Sequence, residues 1–296
     1  MASAEQVSAQ DEEKPVAFDK SHFPHGLNGD FLLDLDAEAL IEKFAGSNGG
    51  EGMFEDPEKR DIAAAVDPII EMLRGHAGVR NSGTILDVGS GTGLLLKSLS
   101  SLVPTGRVLA SELAPNFRSW MAARVATEGL RNVSVVAATD RDPLPDSSPA
   151  EGTAEGTAEA TVDATRVSMP LAGATEGGGG VDLALLCDVY HHLEYPKTVM
   201  RRLRKVMNQN SGRLVVIDFY RDSAKVTSRP PEWVMEHLRA GQDVFRSEIL
   251  ASGFVLVSEP EIPELRENYV MVFRPATDAE LGAQLAAKPG AGWADS

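Results

Sequence analysis

The 296-residue sequence contains a single cysteine, Cys187, which excludes an internal disulfide framework. No apolar run approaches the roughly 18 residues of a membrane span. The opening Met-Ala-Ser-Ala-Glu-Gln-Val has no apolar signal-peptide core, and Glu5, Asp11, Glu12 and Glu13 do not fit a transit peptide. Basic residues are in deficit: 28 Lys and Arg against 44 Asp and Glu leave a net charge of −16, which repels nucleic acid phosphate and anionic lipid. The densest basic run, Arg201-Arg202-Leu-Arg204-Lys205, fits the solvent face of a helix. The six histidines include no helical His-x-x-x-His pair, so no metal site is predicted. These absences predict a soluble, cytoplasmic chain with neither nucleic acid nor membrane as partner. They do not fix an oligomeric state.

What is present is a β/α alternation. With 43% hydrophobic residues the chain can bury a full core. Strands are predicted at Thr84–Val88, Arg107–Glu112, Asn132–Ala138, Val181–Cys187 and Arg213–Phe219. Between them, helical spacing runs over Thr92–Leu102, Pro115–Glu128 and Pro196–Met207. This spacing predicts an α/β fold with a doubly wound, mostly parallel sheet. A helical stretch, Glu232–Ala251, precedes two more apolar segments, Phe254–Val257 and Tyr269–Phe273.

The ends and one internal segment read differently. Residues 1–56 are predicted to be a mobile acidic arm with one short helix (Ala37–Ala45) capped by Asp36. Residues 57–275 form the domain, opened by an amphipathic helix after Pro57, and 276–296 read as a frayed tail. Residues 149–180 repeat Glu-Gly-Thr-Ala in tandem, end in four glycines and contain no aromatic residue. Such a composition cannot offset its ordering entropy, so a disordered insertion is predicted.

The most informative stretch is Leu86-Asp-Val-Gly-Ser-Gly-Thr-Gly93. A strand that turns through glycines into a helix brings bare backbone N–H groups against a ligand. As a dinucleotide fingerprint it fails, because Leu94 or Leu96 stands where G-x-G-x-x-G needs its third glycine. No G-x-x-x-x-G-K-[ST] occurs either. Asp87 at the strand tip suits a cationic, amino-acid-like ligand better than a pyrophosphate.

In that context the string resembles motif I of the class I S-adenosylmethionine (SAM) dependent methyltransferases, and the resemblance covers about residues 57–274. It implies a Rossmann-like sheet closed by a final antiparallel strand, with SAM as methyl donor and a small-molecule acceptor. It also implies that a helix near the start of the domain lids the SAM pocket. Asp87, Gly89, Ser90, Gly91 and Gly93 would form the SAM turn. Glu112, followed by Leu113, would accept the ribose hydroxyls. In Thr139-Asp-Arg-Asp-Pro-Leu-Pro145, Asp140 would meet the adenine amino group, with Thr139 or Arg141 supplying backbone contacts, and Asp188 would complete the set.

The fourth strand ends in Cys187-Asp-Val-Tyr190-His-His192, on the acceptor side. A neutral imidazole can take a proton near pH 7, so His191 or His192 is a candidate general base, with Tyr190 beside them. Against this stands a packing role for the same residues. The string departs from Asn/Asp-Pro-Pro-Tyr, which disfavours methylation of nucleobase amines, and the lone cysteine disfavours arsenite methylation. A protein acceptor and a non-catalytic SAM binder remain as alternatives.

Overall fold

In the computed structural model, residues 13–18, 20, 23, 25–29, 31, 32, 36–46, 52–145 and 180–286 are described. The segment 149–180 lies outside the described residues except for Gly180. A seven-stranded sheet runs β3-β2-β1-β4-β5-β7-β6. β1 (Thr84–Val88), β2 (Arg107–Glu112), β3 (Val133–Ala137), β4 (Leu183–Cys187) and β5 (Arg213–Phe219) are mutually parallel. β7 (Asn268–Pro275) lies antiparallel to both β5 and β6 (Phe254–Ser258), as the closing strand was expected to do.

The central strands are buried on both faces, which is why β1, β4 and β5 read as largely continuous apolar runs, whereas β3 and β6 at the sheet edges are only partly buried. Alternate residues point to opposite faces. Ile85, Leu183, Leu185, Val215 and Ile217 join a core with α3 (Val66–His76) and α4 (Leu96–Leu102). Leu86, Val88, Ala184, Leu186, Leu214 and Val216 join another with α6 (Pro196–Val206) and α8 (Gln242–Ala251). On the first face α5 (Pro115–Thr127) contributes Met121.

Several boundaries move for physical reasons. α4 begins four residues after Thr92, because Gly93 takes φ +83 in the turn before it, and a Cβ there would come 2.8 Å from Leu96. The stretch after Pro57 breaks into α2 (Asp61–Ala64) and α3, anchored where the Asp61 carboxylate accepts the backbone N–H groups of Arg266 and Glu267. Glu232–Ala251 splits into α7 (Pro231–His237) and α8, with extended Leu238 and Gly241 between them.

Some described residues of the N-terminal segment contact the domain. Glu13 accepts the N–H groups of Lys197 and Thr198 at the start of α6, and the Val16 N–H donates to the Glu194 carbonyl. A carboxylate meeting otherwise unpaired helix N–H groups is favourable there. α1 (Ala37–Phe44), capped by Asp36, buries Leu40 and Phe44. A helix, α9 (Asp278–Ala286), follows β7 and is held by two hydrogen bonds from Arg274 to Glu280.

Candidate active site

Open α/β sheets bind ligands beyond the carboxyl ends of their strands, and two cavities lie there. The smaller, about 120 Å³, is bordered by Glu112, Leu113, Thr139 and Asp140. The larger, about 410 Å³, is bordered by Asp87, Ser90, Cys187, His191, Trp233 and His237. They share Gly89, Gly91, Asp188 and His192, together with Phe31 and Phe54. The larger volume falls within the range of roughly 300–1,000 Å³ usual for small-molecule sites.

At the shared edge the glycine turn is locked to β2. Glu112, buried at the tip of β2, accepts the Gly91 N–H at 2.8 Å through one oxygen and the Ala114 N–H at 2.8 Å through the other. Gly89 has φ +67, and a Cβ there would come 2.7 Å from Val189, so the turn and the loop after β4 close on each other through this glycine. Burial pushes the Asp87 carboxyl up to about 7, with nearby Glu112 adding to the shift and the Ser90 hydroxyl opposing it. Burial likewise raises Glu112, opposed by the N–H groups it accepts. Asp188, in the left-handed region at φ 55, accepts from Arg60 Nη2 at 2.8 Å and from Asn268 Nδ2 at 2.6 Å.

At the far end of the larger cavity three imidazoles converge. The His191 ring centroid lies 4.3 Å from that of His192 and 5.2 Å from that of His237. His191 Nδ1 is 2.7 Å from Asp218 Oδ1, and its backbone N–H donates to Asp218 Oδ2. A carboxylate only accepts, so Nδ1 carries the proton and Nε2 is left for a ligand. Burial, then the neighbouring histidines, hold His192 well below the ordinary imidazole range, while the Leu27 carbonyl opposes this by accepting from its ring. Burial, then His191 and Arg229, lower His237 to about 3. Arg221 fixes the end of α7 by donating to the Leu238 and Met235 carbonyls, and Trp233 stacks on His237 at 4.4 Å.

Residues 86–214 match a family model described as a methyltransferase domain. Over that span, which is less than half of its length, the chain is similar to methyltransferase domains. Its fold is also that of solved structures. A SAM-dependent methyltransferase from Aquifex aeolicus superposes with a TM-score of 0.56 at 19% identity, covering 81% of this chain and 98% of that one. An O-methyltransferase family protein from Burkholderia thailandensis gives 0.52 at 16% identity, covering 90% and 66%. No curated protein sequence matches the chain.

Within the domain, Asp87, Gly89, Ser90, Gly91, Glu112, Leu113, Asp140, Asp188, His191 and His192 all border the two cavities. Three residues named from the sequence do not. Gly93 serves the turn into α4, as above. The Arg141 guanidinium lies over the Tyr195 ring at 3.8 Å. Tyr190 is fully buried on the opposite face of the sheet, with its hydroxyl donating to Glu248 and its ring against Phe245. The short helical turn Tyr190–His192 sends Tyr190 into the core and the histidines to the cavity.

Sequence reasoning missed Asp218, Arg60, Trp233 and His237. Asp218 has a signal in hindsight, a carboxylate inside the apolar run Leu214–Phe219. More than the helix after Pro57 borders the larger cavity on this side. Arg60 and Ile62, around α2, border the larger cavity, but so do Phe31, Phe44 and Phe54 of the N-terminal region. Those three pack on one another and on Phe117 of α5. No helix among the described residues is long and apolar enough to cross a membrane.

Proposed function

We propose that this domain transfers the methyl group of SAM to a nucleophilic atom of a small-molecule acceptor in the larger cavity. The observation that carries the reading is the meeting of two cavities at one edge, formed by Gly89, Gly91, Asp188 and His192. The smaller cavity would take adenosine, with Glu112 for the ribose hydroxyls and Leu113, Thr139 and Asp140 around the base. Asp87 and the glycine turn would take the amino-acid end. The sulfonium methyl would then point into the larger cavity, whose walls include Phe31, Phe44, Phe54, Phe219 and Trp233 and whose far end is the histidine group.

In-line displacement is a two-body problem that positioning makes effectively unimolecular. The acceptor atom attacks the methyl carbon, the carbon–sulfur bond breaks, and its electron pair stays on sulfur as S-adenosylhomocysteine leaves. Phe31 and Phe54 exclude water at the junction. A cavity of about 410 Å³ with five Phe and Trp side chains in its wall suits a planar or partly apolar acceptor better than an extended peptide.

Calorimetric titration with SAM and with NADH, followed by turnover of SAM on a metabolite pool and on a peptide pool, tests the proposal. Micromolar binding of SAM alone and turnover with metabolites are expected. Turnover confined to the peptide pool would establish a protein methyltransferase, and binding with no turnover in either pool would favour a SAM-binding protein.

A further inference from the structure

Among the described residues, His191, His192 and His237 are the one group of three His, Cys, Asp or Glu side chains gathered closely enough to share an ion, with ligand atoms all within 4.8 Å of one another. They come from two separate elements, the turn after β4 and the end of α7, so their convergence is a product of the fold and not of sequence adjacency. This is why reading the sequence for helical His pairs predicted no metal.

We propose that His191, His192 and His237 hold one divalent first-row transition cation, with zinc the best match, whose remaining position opens into the larger cavity and takes the acceptor's hydroxyl or thiol. Three imidazoles without a carboxylate suit zinc, copper, nickel or iron, and not magnesium or calcium. Three protein ligands with a fourth position open are the pattern of catalytic zinc. A tetrahedral ion with bonds of about 2.1 Å needs nitrogens about 3.4 Å apart, so the rings close by less than ~1 Å each.

The surroundings are those of a ligand set and not of packing alone. Metal-bound histidines donate their second ring N–H to a carboxylate or backbone carbonyl, which fixes tautomer and orientation. His191 does so to Asp218, and the Leu27 carbonyl accepts from His192. Trp233, stacked at an interplanar angle of 17°, sets the plane of His237. Arg229 also borders the cavity, and the buried Asp218 behind His191 supplies opposing negative charge.

The role at the acceptor rests on the proposed methyl transfer. Coordination lowers the pKa of a hydroxyl or thiol, as it does for bound water. The acceptor would lose that proton to solvent, and its coordinated oxygen or sulfur would then attack the methyl carbon as the carbon–sulfur bond breaks. His191 would act as a ligand and not as a base.

Full-length protein is stripped with a chelator and titrated calorimetrically with Zn²⁺ and Co²⁺. One site per chain is expected, weakened at least 100-fold in His237→Ala and 10- to 100-fold in Asp218→Asn. The cobalt form should show visible absorption bands that His237→Ala abolishes. His237→Gln serves if the alanine variant does not fold by circular dichroism. Absence of stoichiometric binding in the wild type, or equal affinity in a folded His237 variant, overturns the site. SAM affinity on the same samples separates the two readings. Zinc binding without SAM binding supports the site and overturns the methyl-donor reading, whereas SAM binding without zinc overturns the site.

Discussion

The carboxylate of Glu112 accepts the backbone N–H of Gly91 at 2.8 Å, tying the tip of β2 to the glycine turn that follows β1. Both oxygens of Glu112 already serve a backbone N–H, yet each carboxylate oxygen has a second acceptor direction. One residue can therefore shape the turn and still accept from a ribose.

The first prediction separates those roles. Glu112→Gln keeps one amide oxygen as acceptor and turns an N–H toward the other donor, and Glu112→Ala keeps neither acceptor. Losing charged hydrogen bonds of this kind costs about 1–3 kcal/mol each. SAM affinity should fall about 10- to 100-fold in both variants, and the melting temperature should fall further in Glu112→Ala. Unchanged SAM affinity in a folded Glu112→Ala protein by calorimetry would overturn the ribose assignment.

A second prediction concerns pH and Asp87. Its carboxyl, pushed by burial to about 7 in the folded protein against an ordinary value of 3.8, is half protonated near neutrality. If it receives the cationic end of SAM, binding must expel that proton. SAM affinity should therefore rise several-fold from pH 6 to pH 7.5, with proton release visible as a dependence of calorimetric heat on buffer ionisation. Asp87→Asn should bind more weakly and without that slope. For folding the sign is opposite: between about pH 4 and 7 the native state holds a proton that the unfolded chain has lost. This contribution to stability is full below about pH 4 and falls as pH rises through 7, by about 1.4 kcal/mol per pH unit. A wild-type stability profile parallel to that of Asp87→Asn across this window would refute the assignment.

Much of this architecture was legible in the sequence, and what was not has common causes. β1, β2 and β5 match their predicted limits because each has a buried, mostly apolar centre bounded by turns. Asp87, Glu112 and Asp188 could be placed because a strand tip in this topology has one destination. His237 could not, since its position depends on a helix break at Leu238 and on Arg221 reaching across from the end of β5. Phe31, Phe44 and Phe54 stand in a stretch rich in glycine and acidic residues, where local pattern points to mobility. Their burial comes from one another and from Phe117, and pairwise tertiary contact of that kind leaves no periodic trace.

A third prediction addresses Gly89. Alanine there must adopt φ +67 with its Cβ 2.7 Å from Val189 Cγ2. Overpacking of this sort costs about 1–3 kcal/mol. Gly89→Ala should lower the melting temperature and SAM affinity together. Val189→Ala should relieve the clash in the double variant and recover part of the stability, leaving only the backbone strain. Strict additivity of the two single changes in chemical denaturation would show that the turn and the loop after β4 do not touch.

The last prediction concerns the ion pair that ties the residue before α2 to the loop after β4. Arg60, just before α2, donates to Asp188 from Nε at 3.1 Å and from Nη2 at 2.8 Å, and to the Phe54 carbonyl from Nη1. The two side chains are only 11% and 6% exposed. Burial raises the Asp188 carboxyl, and Arg60 is the main opposing influence. Removing one partner of a buried pair leaves the other charge uncompensated, at a cost of about 3–5 kcal/mol. Arg60→Met should therefore destabilise the protein by that order, more than Asp188→Asn, which keeps one amide oxygen to accept from Arg60 and turns its N–H toward Asn268, whose own amide can flip to accept. The Phe54 carbonyl also loses its donor in Arg60→Met, so the aromatic wall over both cavities should loosen. Proteolysis within the N-terminal 60 residues should then quicken before the sheet unfolds. Equal denaturation midpoints for Arg60→Met and wild type, with unchanged proteolysis, would show that the pair neither stabilises the fold nor holds the aromatic wall.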